Sequence, residues 1–152
     1  LKIPRREAKS IIEAYFTEFP DLKAYQTQVV ETAKEKGYVE TVLGRKRWLP
    51  DITSANAVVR GFAERNAVNA PIQGSAADII MVAMVRIQKA IRAEELDARM
   101  ILQVHDELVF DVPKTEAEAL SKLVKTHMEE AVKLSVPLEV EIQTGTNWLE
   151  AH

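Results

Sequence analysis

The sequence predicts an α+β fold in which long helices pack on a small antiparallel sheet. Three observations predict it. Apolar residues recur at helical spacing over long stretches near the N-terminus, in the middle of the chain and after residue 115. Two β-rich stretches lie between them, each folding back at a turn. A short segment near the C-terminus, 138–142, alternates apolar and acidic residues as a half-buried strand should. The chain has 152 residues, 47% of them hydrophobic and 28% charged, which is enough for one domain with a real core.

The first helix is expected over 4–19. Pro4 suits a first helical turn, and Ile11, Ile12, Tyr15, Phe16 and Phe19 follow at helical spacing. Pro20 and Asp21 punctuate it, and a second helix runs over 21–36 with Leu22, Tyr25, Val29 and Ala33 on one stripe. Gly37 is its stop. Residues 38–42 are β-rich, 43–45 can turn, and 46–49 can return as a second strand. Ser54 or Asn56 can cap the next helix, which should run to about Val68. The Asn69-Ala70-Pro71 step should break it, because proline disfavours helical geometry at the residue before it. A new helix is expected from Pro71 to about Ala93. Residues 99–112 read as a β-hairpin with His105-Asp106-Glu107 at the bend. A last helix should span 115–134, capped by Thr115, before the strand at 138–142.

Composition narrows the function classes. There is no cysteine, so a disulfide framework and a cysteine metal site are excluded, and a reducing compartment, the cytoplasm, is the expectation. No unbroken apolar run approaches the roughly 18 residues of a membrane helix, and no membrane partner is expected. No signal peptide is visible. The first residue is leucine rather than methionine, which reads as a cut or trimmed chain. Net charge is −3, which by itself argues against a nucleic-acid binder. Its distribution is uneven: residues 1–65 carry 12 Lys and Arg against 9 Asp and Glu, and residues 66–152 carry 8 against 14. A basic part to meet phosphate and an acidic part to meet metal would give this pattern, and so would chance surface charge.

The hairpin bend carries the most unusual chemistry. Asp106 and Glu107 are adjacent carboxylates flanked by strongly apolar strands, which hold their ends rigidly. Neighbouring carboxylates call for a cation. Oxygen ligands suit Mg²⁺, and two such ions about 4 Å apart can stabilise both the attacking and the leaving oxygen of a phosphoryl transfer. Asp is also a common turn residue, and a polar hairpin tip needs no function. Gln103 and His105 stand beside the carboxylates; His105 alone is better explained by a structural hydrogen bond than by metal ligation. A second pattern lies upstream. Arg65, Asn69 and Gln73 are each four residues apart, so a helix stacks them on one face. Their donors suit the minor-groove acceptors, purine N3 and pyrimidine O2, that every base pair presents. A solvated polar stripe at a kink has the same spacing. Gly74 beside them allows a backbone or DNA to approach closely.

The string Gln103-Val104-His105-Asp106-Glu107-Leu108-Val109-Phe110 resembles the palm motif, motif C, of family A (DNA polymerase I-type) DNA polymerases. Residues 63–79, including Asn69-Ala70-Pro71-Ile72-Gln73-Gly74-Ser75-Ala76-Ala77-Asp78-Ile79, resemble the long palm helix of the same family, and residues 37–51 resemble the hairpin between fingers and palm helix. The resemblance covers essentially the whole chain. It implies that Asp106 is a catalytic metal ligand, that Glu107 lies near the metals and tunes the site, and that both count as catalytic and metal-site residues. It implies that His105 lies near the primer end, that Gln103 and His105 belong with Arg65, Asn69 and Gln73 among the DNA-binding residues, and that the last three face the primer–template minor groove. Arg45, Lys46 and Arg47 are candidate phosphate contacts. Met81 departs from the family pattern, where many members carry Lys.

The implied architecture is a rear part of the fingers over 1–36 and the C-terminal part of the palm over 37–152, with the metal-site hairpin at 99–112. The implied activity is that of a DNA-directed DNA polymerase, using two Mg²⁺ ions, primer–template DNA and deoxynucleoside triphosphates, in replication or repair in a bacterial cytoplasm or nucleoid. The family's other catalytic aspartate, in an Asp-Tyr-Ser-type motif, has no counterpart here, and neither does the nucleotide-binding fingers helix. The ending, 147–152, looks like the family's natural C-terminus. A 152-residue chain of this kind is expected to be inactive alone, and to form a homodimer through apolar surface left open. A non-catalytic DNA-binding module and a metal-dependent nuclease are the alternatives.

Overall fold

A computed structural model of the protein describes residues 3–151, and its chain divides into two units, Leu1–Gly74 and Ser75–His152. Among the described residues the elements are helices, two separate antiparallel hairpins and connecting turns. The α+β expectation holds, with two two-stranded sheets rather than one small sheet. The boundary between the units falls inside a helix, whereas the expected subdivision falls after Lys36.

In the first unit, α1 (Arg5–Glu18) and α2 (Pro20–Lys36) form where the apolar stripes place them. The α1 stripe is not buried: Ile11 and Ile12 are each 55% exposed. The α2 stripe is uneven: Leu22 and Val29 are half-buried, Tyr25 is exposed, and only Ala33 is fully buried. Gly37 ends α2 in the left-handed region at φ 78°, with its N–H donating to the Ala33 carbonyl at 2.8 Å. Strands β1 (Tyr38–Glu40) and β2 (Lys46–Trp48) then pair in the register Tyr38↔Trp48, Val39↔Arg47 and Glu40↔Lys46. Their turn closes with Gly44 at φ 80° and the Thr41 N–H donating to the Arg45 carbonyl at 3.0 Å. A 3₁₀ turn, Pro50–Thr53, follows.

Helix α3 (Ala57–Ala93) is capped by Asn56, whose Oδ1 accepts from the Val58 N–H at 2.9 Å and the Val59 N–H at 3.4 Å. Its alanines at 63, 67 and 70 are buried with Ala33, Val39, Leu49 and Ile52. Small residues at helical spacing allow this close packing. The expected break at Asn69-Ala70-Pro71 does not occur: α3 runs unbroken for 37 residues with Pro71 inside it. Proline removes one helical hydrogen bond, but Ala67 and Ala70 are held in the core on the near side of it, and packing overrides the local preference. The helix is also more apolar than the sequence reading allowed. An 18-residue window of it reaches a mean hydropathy of 1.3 with 11% of the window buried, so its length and composition would suffice to cross a membrane.

In the second unit, the later part of α3 ends at Ala93, and the Leu96 N–H donates to the Ile91 carbonyl at 3.0 Å across Glu95, which takes a positive φ of 54°. Strands β3 (Arg99–Val104) and β4 (Glu107–Asp111) form the expected hairpin, with a register shift between Met100 and Leu102 that the sequence did not announce. Ala83, Ile87 and Ile91 of α3 pack with Leu120, Leu123 and Val124 of α4 (Ala117–Glu129), and Met100, Leu108 and Phe110 lie against them.

Two expectations fail here. Helix α4 is shorter than 115–134 and Thr115 does not cap it: Glu116 precedes it with helical dihedrals, and its carboxylate accepts the Asp97 N–H at 2.8 Å instead. At the other end Ala131 is buried in the core, and Arg86 Nη1 donates to the Glu130 carbonyl at 2.6 Å, satisfying an end that the helix would otherwise have to continue. Residues 138–142 form no strand. Leu138 and Val140 are half-buried and Glu139 and Glu141 exposed, but Ile142, which the alternation should turn inward, is 38% exposed. What is absent is a ladder: among the described residues no strand pairs with them, and the Val140 N–H donates to Glu129 Oε1 at 3.2 Å.

Candidate active-site hairpin and nucleic-acid interface

The bend that carries the carboxylates is a two-residue loop. Val104 pairs with Glu107, leaving His105 and Asp106 as the central residues. His105 has a φ of 52°, and Asp106 is not among the positive-φ residues. Positive φ at the first central position alone is the pattern of a type II′ turn, whose twist matches that of the flanking strands. His105 and Asp106 are exposed; Glu107 is half-buried and opens β4 rather than sharing the bend. Gln103 Nε2 donates to the His105 carbonyl, so Gln103 braces the loop from inside β3. The sequence singled out Gln103 without finding this role; its place two residues before a tight turn is the signal that was there to use.

Asp106 and Glu107 are hard oxygen donors of the kind Mg²⁺ takes. They fit such an ion as part of its ligand set. Among the described residues no group of three His, Cys, Asp or Glu side chains is gathered to hold a metal.

In the other unit, Arg65, Asn69 and Gln73 all stand exposed on α3. Successive members advance by 40° around an ideal helix, so Arg65 lies opposite the buried alanines 63, 67 and 70, Asn69 lies further round, and Gln73 comes to within about 60° of Ala70 at the edge of that stripe. The Arg65 guanidinium carbon lies 5.9 Å from the centroid of the Phe62 ring, which is itself exposed on this face. Phe62 escaped the sequence reading, although its spacing of three from Arg65 was visible.

The basic hairpin is tied into its own unit. Arg45 Nη2 donates to the Gly74 carbonyl at 3.0 Å, and Arg47 Nη2 donates to Asn66 Oδ1 at 3.4 Å. Lys46 Nζ lies 3.8 Å from Glu40 Oε1 and 4.3 Å from the Tyr38 ring centroid. What approaches Gly74 is the turn of this hairpin: a Cβ placed there would meet Thr41 Cγ2 at 2.6 Å. Elsewhere in the unit, Lys34 Nζ sits 2.9 Å from Glu64 Oε1. That hydrogen bond, helped by the charges of Lys34 and Arg60 and opposed by partial desolvation, holds the Glu64 carboxyl below the usual glutamate range.

The backbone has a close counterpart among solved structures. The POL domain of Pol1 from M. smegmatis, in complex with DNA primer-template and dNTP, matches with a TM-score of 0.96 and 50% identity over 99% of this chain and 26% of that one. The fold is therefore that of part of a polymerase domain. The family model for DNA polymerase family A matches residues 1–150, and the chain belongs to that family. Among curated relatives, DNA polymerase I of Streptococcus pneumoniae serotype 4 and that of Geobacillus stearothermophilus are each 54% identical over 99% of this chain. The thermostable DNA polymerase I of Thermus aquaticus is 48% identical over 99% of it. The chain spans 17% of the length of the first two and 18% of the third.

Proposed function

We propose that this chain serves a DNA-directed DNA polymerase, adding deoxynucleotides from their triphosphates to a primer 3′ end on a template strand. Residues 1–36 would belong to the fingers and 37–152 to the palm. The observation that carries the reading is Asp106: an exposed carboxylate fixed on a two-residue bend between paired strands, in a chain of DNA polymerase family A.

Asp106 and Glu107 would hold Mg²⁺, which when bound supplies charge stabilisation for phosphoryl transfer. The chain's own contribution is placement. Gln103 holds the bend through the His105 carbonyl, so the Asp106 carboxylate is aimed without a large entropic cost at the moment of reaction. His105 would lie near the primer end, and Gln103 would belong with it to the DNA-binding residues. Arg65, Asn69 and Gln73 would donate to minor-groove acceptors present in every base pair, testing pair geometry without selecting a sequence. Lys46 and Arg47 retain donors beyond their internal partners and would meet backbone phosphates. The reaction served is attack of the primer 3′-hydroxyl on the α-phosphate of the triphosphate, with pyrophosphate leaving. Alone, the 152-residue chain would not extend a primer, because two carboxylates are only part of a two-ion site.

The test is primer extension by the parent-length protein with Asp106→Asn beside wild type. Asparagine keeps the shape and the turn preference of the bend and removes the charge. Losing a ligand worth several kcal/mol of transition-state stabilisation should slow extension about 1000-fold or more. Equal rates would show that the bend is structural only.

A further inference from the structure

The hairpin turn and α3 meet at a contact that the proposed reaction does not yet use. Pro71 deprives α3 of one backbone hydrogen bond, yet the helix runs on unbroken. Three residues later sits Gly74, a poor helix former whose presence needs a reason. Thr41 Cγ2 occupies the space where a side chain at 74 would begin, at 2.6 Å from an ideal Cβ, and Arg45 Nη2 donates to the Gly74 carbonyl at 3.0 Å. The turn that presents both groups is itself closed: the Arg45 N–H donates to Thr41 Oγ1 at 3.1 Å and the Thr41 N–H to the Arg45 carbonyl at 3.0 Å. A carbonyl has two lone pairs, so it can accept Arg45 without giving up its place in the helix.

We propose that Thr41, Arg45 and Gly74 form a latch that fixes the turn of α3 carrying Gln73, and that Arg45 is a positioning residue rather than a phosphate contact. Gln73 lies between Pro71, where the helix is weakest, and Gly74, where the hairpin grips it. The latch sets the direction in which the exposed Gln73 side chain leaves the helix. This rests on the reading of Gln73 as a minor-groove contact.

The test uses the parent-length polymerase, a primer–template duplex, and two independent sets of variants. In the first, Gly74→Ala puts a methyl group against Thr41 and should lower kcat/KM for extension by about 10-fold or more, as sub-ångström to ångström misplacements do. Combining it with Thr41→Ser removes the Cγ2 that blocks it and keeps the Oγ1 that Arg45 uses. The next atoms are then at ordinary distances, Arg45 Nη2 at 3.6 Å, and most of the loss should be recovered. In the second, Arg45→Gln should lower extension while the slope of log DNA affinity against log salt stays as in wild type. The Arg45→Gln/Gln73→Ala double variant should be no worse than Gln73→Ala alone, because the latch acts through Gln73. A salt slope reduced by about one phosphate contact, losses that multiply in the double variant, or no recovery by Thr41→Ser would each overturn the latch and leave the minor-groove reading standing. If Gln73→Ala alone extends as well as wild type, the minor-groove reading falls and takes the latch with it.

Discussion

Replacing Ile87 by alanine tests whether the core beneath the carboxylate hairpin is built as described. Ile87 is 0% exposed and sits in the cluster that joins α3, α4 and the inner face of β3 and β4. The substitution removes three carbons, a transfer loss of about 2.4 kcal/mol at ~0.8 kcal/mol per buried methylene. If the neighbours do not close in, a cavity of roughly 80 Å³ adds about 2 kcal/mol. The expected cost is therefore about 2.4–4.4 kcal/mol, the lower figure applying if the site collapses fully. Val85 provides the control: two residues earlier on the same helix it is 56% exposed, and Val85→Ala should cost under about 1 kcal/mol. Hydrogen exchange followed at the amides of β3, β4 and α4 reads this locally, without assuming one global transition. Ile87→Ala should speed their exchange about 100- to 1000-fold, and Val85→Ala by less than about 5-fold. Equal acceleration by the two variants would refute the burial pattern, and with it the claim that α3 presents the 83–87–91 face to this core.

Two further substitutions probe electrostatics and the bend. The Lys34–Glu64 pair lowers the Glu64 carboxyl, so its stabilisation is present above the ordinary glutamate range and is lost as pH falls through that range to the folded value. Lys34→Met should therefore lower stability to urea at neutral pH and low salt by only a fraction of a kcal/mol, as each side chain is a third or more exposed. The difference should vanish in acid, and an unchanged gap there would contradict the assignment. His105 holds a left-handed φ of 52° at a cost of about 1 kcal/mol. His105→Gly should stabilise the hairpin by up to that amount in a thermal melt, and a lower melting temperature would show that the imidazole itself holds the bend.

Where the sequence was legible, the deciding physics was local. Gly37 and Gly44 ended a helix and closed a turn, because only the left-handed region fits there and glycine reaches it freely. Asp106 was placed at a bend because the apolar runs on both sides fixed the strands, and a strand pair needs a polar turn between them. Asn56 capped α3 as its side chain allows. These features are written within a few residues of where they act.

The misreadings share the opposite property. Pro71 predicts a break from its own chemistry, but whether a helix breaks is settled by what holds it, here Ala67 and Ala70 buried with residues as distant as Ala33 and Val39. The 138–142 segment alternates only from Leu138 to Glu141, with Ile142 exposed, and alternation specifies no more than which side chains point inward. It does not name a partner, and a strand exists only where another backbone accepts its hydrogen bonds. Gly74 shows the same limit from the side of function. The sequence allowed a close approach there and left open whether backbone or DNA would make it; the occupant, Thr41, lies 33 residues earlier in the chain. A candidate site can therefore be recognised from its own residues, while the groups that hold it in position are found only where the fold brings distant residues together.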